Sequence, residues 1–177
     1  MKYLSILFIL LFVSCSDHKT SEKSSSGQAQ YSFDNIILTH STDTLFITSQ
    51  FADCGEWGGH KELIKIYRSE KKLKLAYIKY EVNCRTREQS GLLQVEKLKK
   101  DITLSRFQKM ALMDYMENLM RSQFLDKEIS HAGNSFTLES TKGNLKISSG
   151  GNNPLLLEHY NLLMTKLEFP KVTIEEN

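Results

Sequence analysis

Two strand-like segments joined by a short polar turn are the feature that most constrains the fold. Residues 63–67 and 73–82 are rich in aliphatic, β-branched and aromatic side chains, which favour β-strands. Residues 69–72 lie between them and have the composition of a turn. Because strands joined by so short a turn pair antiparallel, the chain is predicted to build an antiparallel sheet around this hairpin.

Further strands are expected on both sides of this hairpin. Two more hairpins and one single strand have the same character: residues 36–38 with 45–47, residues 136–138 with 145–147, and residues 91–98. Polar turns at residues 41–43 and 142–144 separate the partners of the two added hairpins.

Two helices are predicted in the second half of the chain. Ser105 and Gln108 have the spacing of a capping box and open a helix over residues 106–124. Asn153 and Pro154 have the order of an N-cap followed by proline at the first helical position. The second helix then carries an apolar stripe of Leu156, Tyr160, Leu163 and Leu167.

The first helix is apolar over most of its circumference. One narrow side holds Arg106, Asp114, Glu117 and Arg121. A helix so widely apolar is expected to be covered on a broad face by the sheet. The residues expected there are Phe107, Met110, Met113, Met116, Leu119, Met120 and Phe124. The four methionines also suit an adaptable contact surface, although core packing is the preferred interpretation.

This order of elements predicts the fold class. Strands with short connections come first and helices come late, which favours α+β over a βαβ arrangement. Residues 31–177 are long enough for one domain with its own core. We therefore expect a single α+β domain in which an antiparallel sheet of about five to seven strands is packed on one face by two helices.

The N-terminus has the layout of a secretory signal. Lys2 precedes a mainly apolar run over residues 3–13, which is about half of the ~20 residues that a membrane-spanning helix needs. Ser14 and Cys15 follow directly. The predicted division is a signal peptide over residues 1–14, and then a polar, serine-rich tether over residues 15–30.

The stretch Phe12-Val13-Ser14-Cys15 resembles the lipobox of bacterial lipoproteins. The resemblance implies cleavage before Cys15, acylation of that cysteine with chains such as palmitate, and anchoring to a membrane of the cell envelope. Ser16 stands where some lipoproteins carry an inner-membrane retention aspartate, so the resemblance favours the outer membrane.

The charge balance excludes one class of partner. Removing residues 1–14 takes away Lys2 and no acid, so 23 basic and 21 acidic residues become 22 and 21. Nucleic-acid-binding proteins show a basic excess, so no nucleic-acid partner is expected. A local basic bias remains in Lys61, Lys65, Arg68, Lys71, Lys72, Lys74 and Lys79. It suits either anionic headgroups or the protection of a hairpin edge, and edge protection is preferred.

Cys54 and Cys84 are the cysteines left after Cys15. An exported protein meets an oxidising compartment, so the pair predicts a disulfide. Geometry agrees, because Arg68 opposite Leu73 would bring both cysteines to the open end of the same hairpin. A zinc site made of Cys54, His60 and Cys84 is the less favoured alternative.

Residues 53–60 form the most unusual local cluster. This segment, the binding loop, has the only tryptophan of the chain, Trp57, together with Glu56, His60 and three of the nine glycines. One interpretation is an exposed recognition loop with Trp57 as its anchor. The other is structural, with Trp57 packed on the disulfide.

Two function classes follow from these residues. The G-x-S-x-G, H-E-x-x-H and C-x-x-C motifs are missing, so we assign no catalytic residue, metal or cofactor. The leading hypothesis is a non-catalytic envelope lipoprotein that binds a protein or ligand, in the format of an inhibitor or immunity protein. The alternative is an envelope hydrolase acting on cell-wall or surface polymers, with Glu56 and His60 as its acid–base pair.

Overall fold

A computed structural model describes residues 33, 43–55, 58–88, 91–125, 133–151 and 153–173. These residues form an α+β domain, as predicted. Its strands are β1 Thr44–Gln50, β2 Lys61–Ser69, β3 Lys72–Glu81, β4 Arg87–Glu88, β5 Gly91–Leu92, β6 Val95–Thr103, β7 Asn134–Ser140 and β8 Lys146–Gly151. Its helices are α1 Arg106–Leu125 and α2 Pro154–Lys166. Among the described residues, no helix is both long and apolar enough to cross a membrane.

Six strands form one antiparallel sheet in the order β6-β3-β2-β1-β7-β8. The predicted central hairpin is present as β2 and β3, and Arg68 lies opposite Leu73. The turn between these strands places Glu70 and Lys71 at positive φ, as a two-residue hairpin turn requires. Strands β4 and β5 pair separately as a two-stranded ribbon.

The predicted pairing of residues 36–38 with 45–47 is wrong. Residues 36–38 lie outside the described residues, but β1 pairs with β2 along one edge and with β7 along the other. Because a strand has only two edges, β1 has none left for an N-terminal hairpin partner. A turn-like composition indicates that the chain reverses locally. It does not show which distant strand pairs with β1, and β7 lies about 90 residues away.

The core lies on one face of the sheet. Alternate residues of the central strands point to this face, where Leu45, Ile64 and Leu75 are fully buried. Both helices pack over them, and Leu112 of α1 and Tyr160 of α2 are also fully buried. The predicted arrangement of two helices on one sheet face is therefore confirmed.

Both predicted helix starts are present. Ser105 Oγ accepts a hydrogen bond from Gln108 N at 3.2 Å, and Gln108 Oε1 accepts one from Ser105 N at 3.0 Å. This reciprocal pair satisfies two amides that the first turn leaves free. In α2, Asn153 Oδ1 accepts from Leu155 N at 3.0 Å. The apolar stripe of this helix is at most 2% exposed: Leu156, Tyr160, Leu163 and Leu167.

Helix α1 is covered less broadly than its composition predicts. Of the seven apolar residues expected in the core, only Met116 and Leu119 are buried. Phe107, Met110 and Phe124 are 61%, 57% and 77% exposed. The expectation of broad coverage is wrong, because the buried residues of α1 all lie on one side of the helix: Ala111, Leu112, Tyr115, Met116 and Leu119. An amphipathicity plot measures how wide the apolar surface is and does not show how much neighbouring surface exists to cover it.

The other face of the sheet, which we call the open sheet face, carries much of the local basic bias. Lys61 and Lys65 on β2, and Lys72 and Lys74 on β3, alternate with the buried residues and so point away from the helices. Strands β2 and β3 are both interior strands, each paired with a neighbour on either side. Edge protection, the preferred interpretation of these lysines, is therefore wrong, because neither strand is an edge.

Candidate functional site

The binding loop is tied by a covalent bond to the segment that follows β3. Cys54 and Cys84 lie at disulfide distance, with Cα atoms 5.4 Å apart. The predicted pairing is therefore confirmed, and the alternative zinc site fails because its two sulfur ligands are bonded to each other. Within the described part of the chain, no group of His, Cys, Asp or Glu side chains is placed to hold a metal ion.

Backbone hydrogen bonds close the neck of the loop. Phe51 N donates to His60 O at 3.0 Å, and Cys54 N donates to Gly58 O at 2.7 Å. Gly58 N in turn donates to Gly55 O at 3.0 Å. Gly55 and Gly58 have φ angles of +64° and +84°, which other residues rarely adopt. The backbone on both sides of Glu56 and Trp57 is thus held in a defined turn.

Gly59 is required by close packing in the same neck. A Cβ atom at this position would lie 2.5 Å from both Phe51 O and Asp53 Oδ1. The Gly59 carbonyl also accepts a hydrogen bond from Gln94 Nε2 at 3.0 Å. The segment before β6 therefore supports the loop in addition to the disulfide.

His60 links the loop to a buried carboxylate. Its ring Nδ1 forms an ion pair with Asp53 Oδ2 inside the loop, and its Nε2 lies 3.5 Å from Glu62 Oε1 on β2. The imidazole stacks on Phe51 with ring centroids 4.7 Å apart. His60 is 8% exposed and Glu62 is fully buried, so the Glu62 carboxylate acts on the ring with little screening by water, whereas the Asp53 side chain is 33% exposed.

Glu62 is completely buried and has partners from three elements. Tyr160 of α2 donates its hydroxyl to Glu62 Oε2 at 2.7 Å. Lys79 Nζ of β3 lies 3.0 Å from Glu62 Oε1. Together with Asp53 and His60, these residues form what we call the His60 cluster, which joins the binding loop to the sheet and to a helix.

The contacts within the His60 cluster favour the charged forms of Asp53, His60 and Glu62. Burial opposes ionisation of Glu62, but the nearby His60 ring, the hydrogen bond from Tyr160 and the charge of Lys79 together outweigh burial and lower its pKa. Burial likewise opposes protonation of His60, yet Asp53 and Glu62 outweigh it and raise the His60 pKa. The pKa of Asp53 is lowered because His60 overcomes its burial. All three shifts favour the charged form of the group concerned.

This arrangement is poorly suited to acid–base catalysis. A general base must offer a free nitrogen to a substrate proton, whereas both ring nitrogens of His60 face carboxylates. A raised pKa also disfavours the neutral form that would accept the proton. The geometry of His60 therefore gives no support to its use as a general base, and Glu56, the other member of the suggested acid–base pair, lies outside the described residues.

A small cleft opens beside the cluster. Its volume is about 190 Å³, and it is lined by Asp53, His60, Lys79, Tyr80, Glu81, Val82 and Lys97. None of these lining residues is a serine, threonine or cysteine that would act as a nucleophile. The charged lining is largely internally paired, since Lys97 Nζ lies 2.7 Å from Glu81 Oε1.

The structure brings together only part of the predicted site. Cys54, Cys84 and His60 meet at the neck of the loop, while Cys15, Glu56 and Trp57 lie outside the described residues. Sequence reasoning missed the partners of His60. The alternation of β2 held a usable signal, because Glu62 shares its face with Ile64 and Ile66. A carboxylate at an inward position needs a buried partner.

No protein-family model matches the sequence, and no curated protein matches it.

Proposed function

We propose that the protein is a lipid-anchored envelope lipoprotein that binds a protein or ligand through residues 53–60 and has no catalytic role. The observation that carries the proposal is the braced neck of this loop. A disulfide, backbone hydrogen bonds and the His60 cluster all fix the chain immediately around Glu56 and Trp57.

A braced loop suits binding for an energetic reason. Ordering a flexible loop on association opposes affinity, and a loop that is already ordered avoids much of that loss. Tryptophan is among the side chains most enriched at the centres of protein interfaces. The chain places its only tryptophan between Gly55 and Gly58, the two positive-φ positions of the neck. We therefore take Trp57 as the anchor, with Glu56 as its polar neighbour.

Trp57→Ala is expected to weaken binding by about 2 kcal/mol, or about thirtyfold, with little change in the melting temperature. The partner is first captured from an envelope extract by the tagged full chain and is then purified. Its Kd is measured for the wild type and for the variant, and the melting temperature is measured on the same samples.

Phe124→Ala is the matched control, because it removes an aromatic side chain that is 77% exposed on α1. This variant should bind as the wild type does. The structural interpretation of Trp57 requires the reverse pattern, in which Trp57→Ala lowers the melting temperature and the folded fraction keeps its affinity. That outcome would remove the loop as the contact surface.

The anchor is proposed from the lipobox-like stretch that ends at Cys15. Cys15→Ala is expected to abolish incorporation of labelled fatty acid, since the acyl chains are attached through this sulfur. Labelling of cells that express each form, followed by separation of membrane and soluble fractions, measures the effect. Cys54→Ala is the matched control and should still be labelled. A Cys15→Ala chain that is labelled and processed as before would contradict lipid anchoring.

A further inference from the structure

The open sheet face carries an uneven distribution of charge. Six lysines project from it: Lys61, Lys65, Lys72, Lys74, Lys99 and Lys146. The carboxylates at equivalent positions on these strands are Glu96, Asp101 and Glu139. The adjacent interior strands β2 and β3 contribute four of these lysines and no acid to this face. The part of the face that β2 and β3 form is therefore cationic.

Little inside the protein neutralises these lysines. Lys74 lies 3.5 Å from Glu70, which is itself 81% exposed, and Lys146 lies 3.9 Å from Glu139. Within the described part of the chain, Lys61, Lys65, Lys72 and Lys99 form no ion pair. By contrast, Lys79 points to the core face and is paired with Glu62. The cationic charge of the open face is thus available to an external partner.

Apolar and aromatic side chains fill the space between these lysines. They are Phe46, Leu63, Tyr67, Ile78 and Tyr80, all half-buried. The ammonium group of Lys65 lies 5.5 Å from the centroid of the Tyr67 ring. Aromatic rings among lysines, whose apolar stems lie along the surface, are characteristic of proteins that rest at a membrane interface.

We propose that the open sheet face docks on the anionic phospholipid headgroups of the membrane that carries the lipid anchor. The geometry favours an extended charged surface over a small anion. Lys146 on β8 and Lys99 on β6 come from opposite edges of six strands, a span of about 24 Å at the usual strand spacing. A headgroup layer can contact such widely separated charges simultaneously, whereas a single phosphate cannot.

The inference rests on the proposed envelope location and assigns a second surface, separate from the binding loop. A lipid anchor on a short tether holds the domain at a high local concentration near the bilayer, so a weak cationic face is sufficient for docking. Docking through this face would leave the two helices directed away from the bilayer, because they lie on the opposite side of the sheet.

The test measures binding of the purified full chain carrying Cys15→Ala to phosphatidylcholine vesicles with and without phosphatidylglycerol. The N-terminal segment is the same in every variant, so differences between variants report the folded domain. In this background, Lys65→Gln with Lys99→Gln is expected to weaken binding to the anionic vesicles by about thirtyfold. Each lysine near an anionic surface strengthens binding by about fivefold. Binding to neutral vesicles should not change.

Lys142→Gln with Lys171→Gln is the matched control, since it removes the same charge at exposed positions off the face. Equal losses in both double variants would show a net-charge effect and overturn the proposal, as would unchanged binding of the Lys65/Lys99 variant. Soluble polyphosphate and unlabelled anionic vesicles are then added as competitors. If polyphosphate displaces the bound protein as readily as the vesicles do, the face binds a soluble polyanion instead. Trp57→Ala should leave vesicle binding intact, so failure of the binding loop is distinguishable from failure of this face.

Discussion

Replacing Glu62 with alanine is expected to lower the free energy of unfolding by about 3 kcal/mol, at the lower end of the range for breaking a buried ion pair. The substitution leaves the Tyr160 hydroxyl without its acceptor in the core and leaves His60 with one carboxylate instead of two. We use the lower end because the Lys79 side chain is 24% exposed and can turn its charge toward water. Urea denaturation at neutral pH measures the change.

Glu81→Ala is the matched control for Glu62→Ala. Glu81 is also paired with a lysine, Lys97, at 2.7 Å, but its side chain is 61% exposed. Exposed pairs contribute little, so this variant should lose less than about 1 kcal/mol. Equal losses in the two variants would contradict the central role of Glu62, because burial is the main difference between them.

The stability of Glu62→Ala should also depend on pH differently from that of the wild type. The lowered pKa values of Asp53 and Glu62 stabilise the fold above about pH 4.5, and this contribution is lost as the pH falls through the folded-state values. The raised pKa of His60 stabilises the fold below about pH 6.5, and this contribution is lost as the pH rises through its folded-state value. The cluster thus stabilises most strongly between these limits, and Glu62→Ala should flatten the decline on the alkaline side.

Removing the disulfide with Cys54→Ala and Cys84→Ala is expected to lower the free energy of unfolding by about 3.5 kcal/mol. The two residues are separated by 30 positions, and the chain-entropy model gives this value for a loop of that length. The loss is a large share of the total stability of a small domain, which is typically about 5–15 kcal/mol. Denaturation of the oxidised wild type and of the double variant measures it.

Reduction of the wild type should reproduce most of this loss, while the same reductant should leave the double variant unchanged. Intact mass after alkylation of the native, unreduced protein provides an independent check. Two alkylated thiols at Cys54 and Cys84 would exclude the bond and remove one of the supports of the binding loop.

Features that depend on neighbouring residues were predicted well. The β2–β3 hairpin, the Ser105–Gln108 capping box and the Asn153 cap all depend on groups within a few positions of each other. The Cys54–Cys84 pairing was also predicted, because the register of the β2–β3 hairpin places both cysteines near its open end. Local sequence is sufficient wherever the partners are joined by a short, well-defined chain path.

Which surfaces of the helices and strands are covered by other segments could not be predicted from local sequence. The apolar width of α1 was correct as a pattern, yet Phe107 and Phe124 are exposed. The lysines of β2 and β3 were equally visible, but their role depended on whether these strands were edges. The polarity of a residue is known from its type, whereas its burial depends on which distant segment packs against it.

The sequence by itself determined the α+β class, the central hairpin, the helix caps and the disulfide, because these depend on short-range geometry and alternation. Only the tertiary structure decided that β1 lies between β2 and β7, and that His60 pairs with Asp53 and Glu62. Tyr160 reaches Glu62 across 98 positions of the chain. Such contacts arise from the simultaneous burial of the whole core, a collective property that no local window of sequence contains.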